Sequence, residues 1–369
     1  MECKRCVLDD SVSDIKFDEN GFCNYCTEYL LKSKSILKNT EELSKILLKL
    51  KSTNSKYNCI VGISGGLDSS FLLYKAVELG LNPLAVHIDT GWNTEVSNQN
   101  IKAVTVQLNI NLKTVVLDWE QFKQLQISYL KAGVIDLEFP TDHYYLSALY
   151  KVASDLNIKY ILTGNNYISE GIMPSCWIHN KGDTLNMLDI YKKFGNKTPL
   201  NNLPTLTLGR KFYYYNIKKI ENIFLLNYLS YNREAAKKIL ISACGWKEYP
   251  IKHGESIFTR FYQRYILPKR FNVDYRRAHL SSLICNSQIT RSEALKILEL
   301  EIIDKELLKN DKAFILKKLN LSEDDLTKYI NLPLRKHLEF KSEIKIKKVY
   351  NSFVSLLKLY GFLKISNRH

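Results

Sequence analysis

The sequence predicts an α/β protein built on a doubly wound parallel sheet, on three observations. Short apolar runs, Ile60 to Ile63, Leu84 to Ile88, Val115 to Leu117 and Tyr160 to Leu162, alternate with amphipathic stretches of helical period. The first run leads into Ser64-Gly65-Gly66-Leu67-Asp68-Ser69-Ser70, which opens a helical stretch from Phe71 to Leu79 closed by Gly80. The ends of the runs are polar: Ser64 onward, Asp89-Thr90-Gly91, Asp118, and Thr163-Gly164-Asn165-Asn166. Ligands of such sheets bind beyond those carboxyl ends.

The elements follow in chain order. Four of the eight cysteines fall in the first twenty-six residues. Cys3-x-x-Cys6 and Cys23-x-x-Cys26, sixteen residues apart, have the spacing of a structural zinc site, with an iron–sulfur cluster as the alternative occupant. Four thiolates close a tetrahedral coordination sphere, so the ion would organise a small lobe rather than catalyse. Asn20-Gly21 reads as a turn before the second pair. From Thr27 to Lys56, Leu30, Leu31, Ile36, Leu37, Leu43, Ile46, Leu47 and Leu50 recur at helical spacing, linking the lobe to the sheet.

The glycine turn after the first strand aims backbone N–H groups and a helix N-terminus at one point, a phosphate site. It lacks the lysine of the G-x-x-x-x-G-K-[ST] loop. It resembles instead the S-G-G-x-D-S loop of the ATP pyrophosphatase (PP-loop) superfamily, whose members hold pyrophosphate and make adenylates. The resemblance implies a fold of the adenine-nucleotide α-hydrolase type, binding ATP through Ser64, Gly65, Gly66, Asp68, Ser69 and Ser70. Asp68 would meet Mg2+ bridging the ATP phosphates, or else cap the helix starting near Ser69. Asp89 ends the second strand, where these proteins carry an acidic residue near the nucleotide; capping is the other reading. Thr163 and Gly164 end another strand, where the fold would face the α-phosphate, and the glycine permits close approach.

Beyond about Asn201 strand signals fade. Asn216 to Leu229, Arg233 to Ala243 and Ser292 to the C-terminus read as largely helical, and Ser322-Glu323-Asp324-Asp325 as a capping box. Lys336 to Lys348 is a lysine-rich stretch, most simply a solvated helical face. The expected organisation is a four-cysteine zinc lobe over 1–30, a helical linker over 31–56, an ATP-binding α/β domain over 57–200 and a mostly helical substrate-binding and partner region over 201–369. A net charge of +15 favours an anionic partner without choosing one. No apolar run reaches bilayer length, and Met1-Glu2-Cys3-Lys4-Arg5 leads into acidic residues, so a cytoplasmic protein is expected, with neither membrane nor nucleic acid among its partners.

Trp246 to Arg277 concentrates cations and hydrogen-bonding aromatics, among them Tyr249, Lys252, His253, Arg260, Tyr262, Gln263, Arg270 and Arg276. This is either a basic helix surface or a set of cations for a second polyanion. The stretches Trp246 to Gln263 and Lys269 to Ile284, with the N-terminal Cys pairs and Phe17-Asp18-Glu19-Asn20-Gly21, resemble signatures of the N-acetyl sugar amidotransferase family over roughly residues 1 to 300. The resemblance implies conversion of a sugar N-acetyl group to an acetamidino group, in the synthesis of O-antigen sugars or of pseudaminic or legionaminic acid. ATP would adenylate the amide oxygen, releasing pyrophosphate, and ammonia would displace AMP. Ser64, Asp68, Lys252, His253 and Arg276 are the catalytic candidates, with ATP, Mg2+ and Zn2+ as cofactors. An N-acetylated sugar, free or activated, would be the substrate, and a separate glutaminase with a cyclase-like barrel subunit would supply ammonia. A PP-loop tRNA-modifying enzyme, thiolase or lysidine-type ligase, is the competing enzyme; Cys59, Cys176, Cys244 and Cys285 form no second C-x-x-C pair, which weakens thiolation. A non-catalytic nucleotide-binding scaffold is the reading from another class, and the intact loop argues against it.

Overall fold

Alternation along the three central strands shows why the middle of the sheet is covered on both faces. In a computed structural model describing residues 1–37, 40–344, 346, 349 and 352, β1 (Cys59–Gly62), β2 (Pro83–Asp89), β3 (Leu112–Val116), β4 (Tyr160–Leu162) and β5 (Glu221–Ile223) run parallel in the order β3-β2-β1-β4-β5. Val61 stands opposite Ala85 on one side and Leu162 on the other. Successive side chains point to opposite faces. Ile60, Leu84, Val86 and Ile161 therefore enter one core, and Cys59, Val61, Ala85 and Leu162 enter another. Strands buried on both faces are characteristic of parallel sheets with helical crossovers.

Helices α1 (Asn24–Ile36) and α2 (Thr40–Lys51) precede the sheet, and α3 (Leu67–Glu78) and α4 (Glu95–Gln107) follow its first two strands. Next come α5 (Trp119–Ala132), α6 (Phe139–Asp155), α7 (Tyr167–Glu170), α8 (Thr184–Phe194) and α9 (Leu208–Phe212). Beyond β5 are α10 (Arg233–Cys244), α11 (Ile257–Phe261), α12 (Leu267–Phe271), α13 (Tyr275–Cys285), α14 (Arg291–Glu299), α15 (Lys305–Leu319) and α16 (Glu323–Ile330). Phe71, Leu72 and Ala76 of α3, Ile101 and Val104 of α4, and Ala236 and Leu240 of α10 cover one face of the sheet. Phe122 and Leu125 of α5, Tyr144 and Leu149 of α6, Phe258 of α11 and Ile315 of α15 belong to the core on the other. A buried bidentate pair, Arg260 Nε and Nη2 with Asp311 at 2.7 and 2.6 Å, ties α11 to α15. A third, small core of Val7, Leu280 and Ala294 joins the N-terminal lobe to α13 and α14.

Three readings need correction here. The stretch from Asn216 to Leu229 is not a helix: it ends a π-helical turn at Ile217, contributes β5, then forms a short 3₁₀ turn at Leu225–Tyr228. A three-residue strand lacks the length to show a period, so its pairing with β4 decides it. The helix after the glycine turn starts at Leu67 with Gly66 as its N-cap, so Asp68 lies inside the first turn and is not the cap. The capping box at Ser322 is present, with Asp325 as the reciprocal partner. The lysine-rich stretch is not a helical face over 336–343: it forms a short 3₁₀ turn at His337–Glu339 and then irregular chain that buries Phe340 and Glu343, whereas the helical reading beyond 344 lies largely outside the described residues.

Candidate functional site

The order β3-β2-β1-β4-β5 reverses direction between β1 and β4, and a crevice must open where crossovers leave to opposite faces. A cleft of about 1900 Å³ opens there. Ser64, Gly66, Leu67, Asp68 and Ser69 line it, with Gly164, Asn165 and Asn166 from the end of β4. The loop is tied from behind. Gly65 O accepts from Trp246 Nε1 at 2.9 Å and from Tyr249 OH at 3.0 Å, and Ser97 Oγ donates to Ser64 O at 2.8 Å. Ser69 Oγ accepts from Ser64 N at 3.1 Å and so closes the turn. Gly65 has φ +80°, and a Cβ there would lie 2.5 Å from Ser97 O, so the position needs glycine on both counts. A Cβ on Gly164 would lie 2.8 Å from Ser69 N, so β4 and the start of α3 approach as closely as backbones can.

Asp68 accepts a hydrogen bond from Tyr231 OH, and its Oδ1 lies 3.4 Å from Arg233 Nη1. Both partners come from the approach to α10, which the sequence did not single out; they follow β5, the strand it missed. Lys252 Nζ lies 3.2 Å from Glu170 Oε1 and 2.9 Å from His279 Nδ1. Burial lowers the pKa of Lys252, with Glu170 opposing, and burial together with Lys252 keeps His279 neutral. His253 lines the cleft in a left-handed conformation, φ +61°, with Nδ1 3.9 Å from Glu255 Oε1. Glu255 lies against Gly66, whose added Cβ would come within 2.6 Å of Glu255 Oε1. At the end of β2, His87 Nδ1 is 3.0 Å from Ile63 O and Nε2 is 2.7 Å from Asn93 Nδ2, so Nδ1 carries the proton and donates, and Nε2 accepts.

Several candidates stand elsewhere. Asp89 accepts from Gly91 N at 2.7 Å and lines a separate pocket of about 190 Å³ with Trp119 and Lys318; it is a turn residue. Arg276 pairs with Asp274 at 2.8 Å and donates to the carbonyls of Ile297, Leu298 and Leu300, closing the C-terminus of α14 away from the cleft. Ser70 is fully buried, and Thr163 is buried with Oγ1 donating to Asn222 Oδ1 at 3.3 Å, so neither is on the cleft wall. Most cations of the Trp246 to Arg277 stretch are likewise consumed internally: Arg260 by Asp311, Arg270 by carbonyls including Leu332 O, and Arg277 by Glu2 and Asp9.

The four N-terminal cysteines are fully buried, and their sulfurs lie within 4.8 Å of one another. The pairs Cys3–Cys26 and Cys6–Cys23 stand 3.7 and 3.6 Å apart. A tetrahedral ion with metal–sulfur bonds of about 2.3 Å has edges of ~3.8 Å, so the set fits a metal ion. Backbone N–H groups of Cys6, Cys23 and Cys26 point at sulfurs, at 3.2 to 3.5 Å, and Arg5 Nη1 approaches Cys26 Sγ at 3.7 Å. These donors stabilise thiolate charge. Arg291 Nε donates to the carbonyls of Cys3 and Cys6, docking the lobe on α14.

Switch-point cleft, glycine turn and close β4 approach together define a nucleotide-binding PP-loop protein. Comparison with known families agrees. Residues 58–202 match the family described as queuosine biosynthesis protein QueC, and residues 255–353 match the LPS biosynthesis protein WbpG-like, C-terminal domain. The two matches fall on successive parts of the chain, the first on the α/β region that holds the glycine turn and the second on the helical region after it, and they support the PP-loop resemblance. Both matches support an ATP-using enzyme of the PP-loop amidotransferase or ligase kind. An uncharacterized protein of Methanocaldococcus jannaschii is 28% identical over 170 residues, 45% of this chain; the chain spans 59% of that relative's length. Solved structures resemble it weakly. NMN synthetase from Francisella tularensis has a TM-score of 0.30 and 15% identity over 81% of this chain and 98% of that one. The NH3-dependent NAD synthetase from Campylobacter jejuni has a TM-score of 0.31 and 12% identity over 84% and 99%. Likeness of this degree carries no functional weight. Among the described residues no helix is long and apolar enough to cross a membrane.

Proposed function

We propose that the protein is an ATP-dependent amidotransferase that adenylates the carbonyl oxygen of a sugar N-acetyl group and replaces it with ammonia-derived nitrogen, giving an acetamidino sugar for surface polysaccharide or flagellin-glycan synthesis. One observation carries this reading. The cleft is shared: its floor is the PP-loop, and its wall includes Lys252, His253, Glu255, Thr259 and His279 from the stretches that carry the sugar-amidotransferase signatures. At about 1900 Å³ it exceeds the 300–1,000 Å³ of typical ligand pockets, and so has room for a nucleotide and a second substrate together.

The chemistry asks three things of the chain. An amide carbonyl is a poor electrophile, and ATP, as substrate, supplies an α-phosphorus that turns its oxygen into a leaving group. The loop must hold the departing pyrophosphate; N–H groups at the start of α3 and the Ser64 and Ser69 hydroxyls face that task. Negative charge gathers where the phosphates meet the sugar, and Lys252 and Arg233 stand near enough to Asp68 for their charges to couple. Asp68 would hold Mg2+. Magnesium bound there would keep waters and substrate phosphates as its other ligands. Zinc is the ion we assign to the four thiolates, and a separate glutaminase the source of ammonia.

With UDP-N-acetylglucosamine or another acetamido sugar, ATP and ammonium, turnover is expected to release AMP and pyrophosphate; ADP and phosphate would sink the reading. Asp68→Asn is expected to raise the magnesium concentration for half-maximal rate at least about tenfold, a change of ~1.4 kcal/mol, with little change in melting temperature. An unchanged magnesium dependence would leave Asp68 as a partner of Tyr231 and Arg233 alone.

A further inference from the structure

We propose that Glu138 forms the subsite that receives the nitrogen donor as ammonium and takes its proton. The inference rests on the amidotransfer reading and extends it to a residue that neither the loop nor the sequence signatures point to.

Glu138 precedes α6 and lines the same cleft as the PP-loop, yet is only 9% exposed. Its Oε2 accepts from Thr259 Oγ1 at 2.7 Å, whereas Oε1 has no hydrogen-bond partner. A buried carboxylate oxygen left without a partner beside a cleft is costly unless a ligand completes it. Its surroundings choose the sign of that ligand. Asp136 and Asp142 flank it and share one cation, Lys181, at 2.7 and 2.9 Å, so the neighbourhood is net negative before Glu138 is counted. A cation is therefore favoured and a phosphate disfavoured. The wall also leads to the reacting region: Thr259 Oγ1 is 2.9 Å from Ser256 Oγ, and the adjacent Glu255 lies against Gly66 of the loop.

Burial, and then Asp142, push the Glu138 carboxyl up to about 8, with Thr259 and Lys181 opposing. A cation in the subsite favours the ionised form, and a carboxylate of raised pKa takes a proton from ammonium more readily than an ordinary one. One proton passes from ammonium to Oε1, and the freed lone pair forms the C–N bond at the O-adenylated carbon. The C–O bond then breaks with its electron pair on AMP, and the sugar leaves as an acetamidinium cation.

Rubidium, an ammonium-sized cation, tests the subsite without any sugar. Anomalous diffraction from crystals soaked in rubidium chloride should show a peak beside Glu138 that is absent in Glu138→Gln, a nearly isosteric variant whose melting temperature reports folding. No peak in the wild type, or a peak that persists in the variant, overturns the proposal. In turnover, Glu138→Gln should lose about 10²-fold or more in kcat/KM for ammonium, and hydroxylamine, already neutral at pH 7, should restore the rate. Equal losses with both nucleophiles would mean a structural role and would also overturn it. A wild-type enzyme that forms no AMP with any acetamido sugar would instead fail the amidotransfer reading, leaving the rubidium result to judge Glu138.

Discussion

Cys23→Ser protein is expected to lose its bound metal together with the N-terminal lobe. Cys23 serves twice, as one of the four clustered sulfurs and as the N-cap of α1, accepting from Cys26 N at 3.4 Å. Besides the four cysteines the lobe buries few apolar side chains, Leu8 and Val12 in the main core and Val7 in the small cluster with Leu280 and Ala294. Ion pairs and hydrogen bonds add to that hold: Arg277 with Glu2 and Asp9, and Arg291 with Glu2 and two cysteine carbonyls. Structural zinc contributes about 10–16 kcal/mol of apparent binding free energy in small peptides, against a typical domain stability of 5–15 kcal/mol, so no neighbouring contact can replace the ion. Elemental analysis should fall from about one zinc per chain to near none. Amide exchange should rise across the lobe and at α13 and α14, and a chelator should reproduce both changes in the wild type. A variant or chelated protein with unaltered exchange would contradict the metal assignment, and iron with visible absorbance would change the ion.

Gly164→Ala is expected to abolish most activity while leaving a folded protein. The added Cβ meets backbone, Ser69 N at 2.8 Å and Asp68 C at 3.1 Å, so no side-chain rotation relieves it. Either β4 or the start of α3 must shift by several tenths of an ångström. Overpacking of this kind costs about 1–3 kcal/mol in stability. The functional loss should be larger, because the shifted atoms carry the loop N–H groups; removing one preorganised donor elsewhere costs ~10²–10³ in kcat. Steady-state kinetics beside a melting curve separate the two. A variant with a few degrees' loss in melting temperature and wild-type kcat would show that the close approach only packs the sheet.

Features confined to a few consecutive residues were legible in the sequence. The Cys pairs, the loop from Ser64 to Ser70 and the Thr163 to Asn166 strand end are local patterns, and the structure brings the first set together and the other two to one cleft. Lys252 and His253 were picked from a stretch rich in cations that also carries the resemblance, and both line the cleft. Arg276 was chosen by the same local richness in cations, but its guanidinium is spent on Asp274 and three carbonyls. Composition counts donors without showing which acceptors the fold supplies. The Asp two positions before Arg276 was the one available warning. Arg233, Tyr231, Glu255 and Glu138 were missed for the converse reason: none is part of a local acidic or basic pattern, and each gains meaning only when the topology converges on the cleft. β5 was missed because three residues, Glu221–Ile223, show no period, and pairing with β4 makes them a strand.

The central claim is that this cleft activates an amide oxygen at the α-phosphorus of ATP. It is tested most directly by placing ¹⁸O in the acetamido carbonyl of the sugar and following it through turnover with ATP and ammonium. The label is expected in the phosphate of AMP, with one ammonium-derived nitrogen in the sugar. Label retained in the sugar, or released to water with unlabelled AMP, would contradict it.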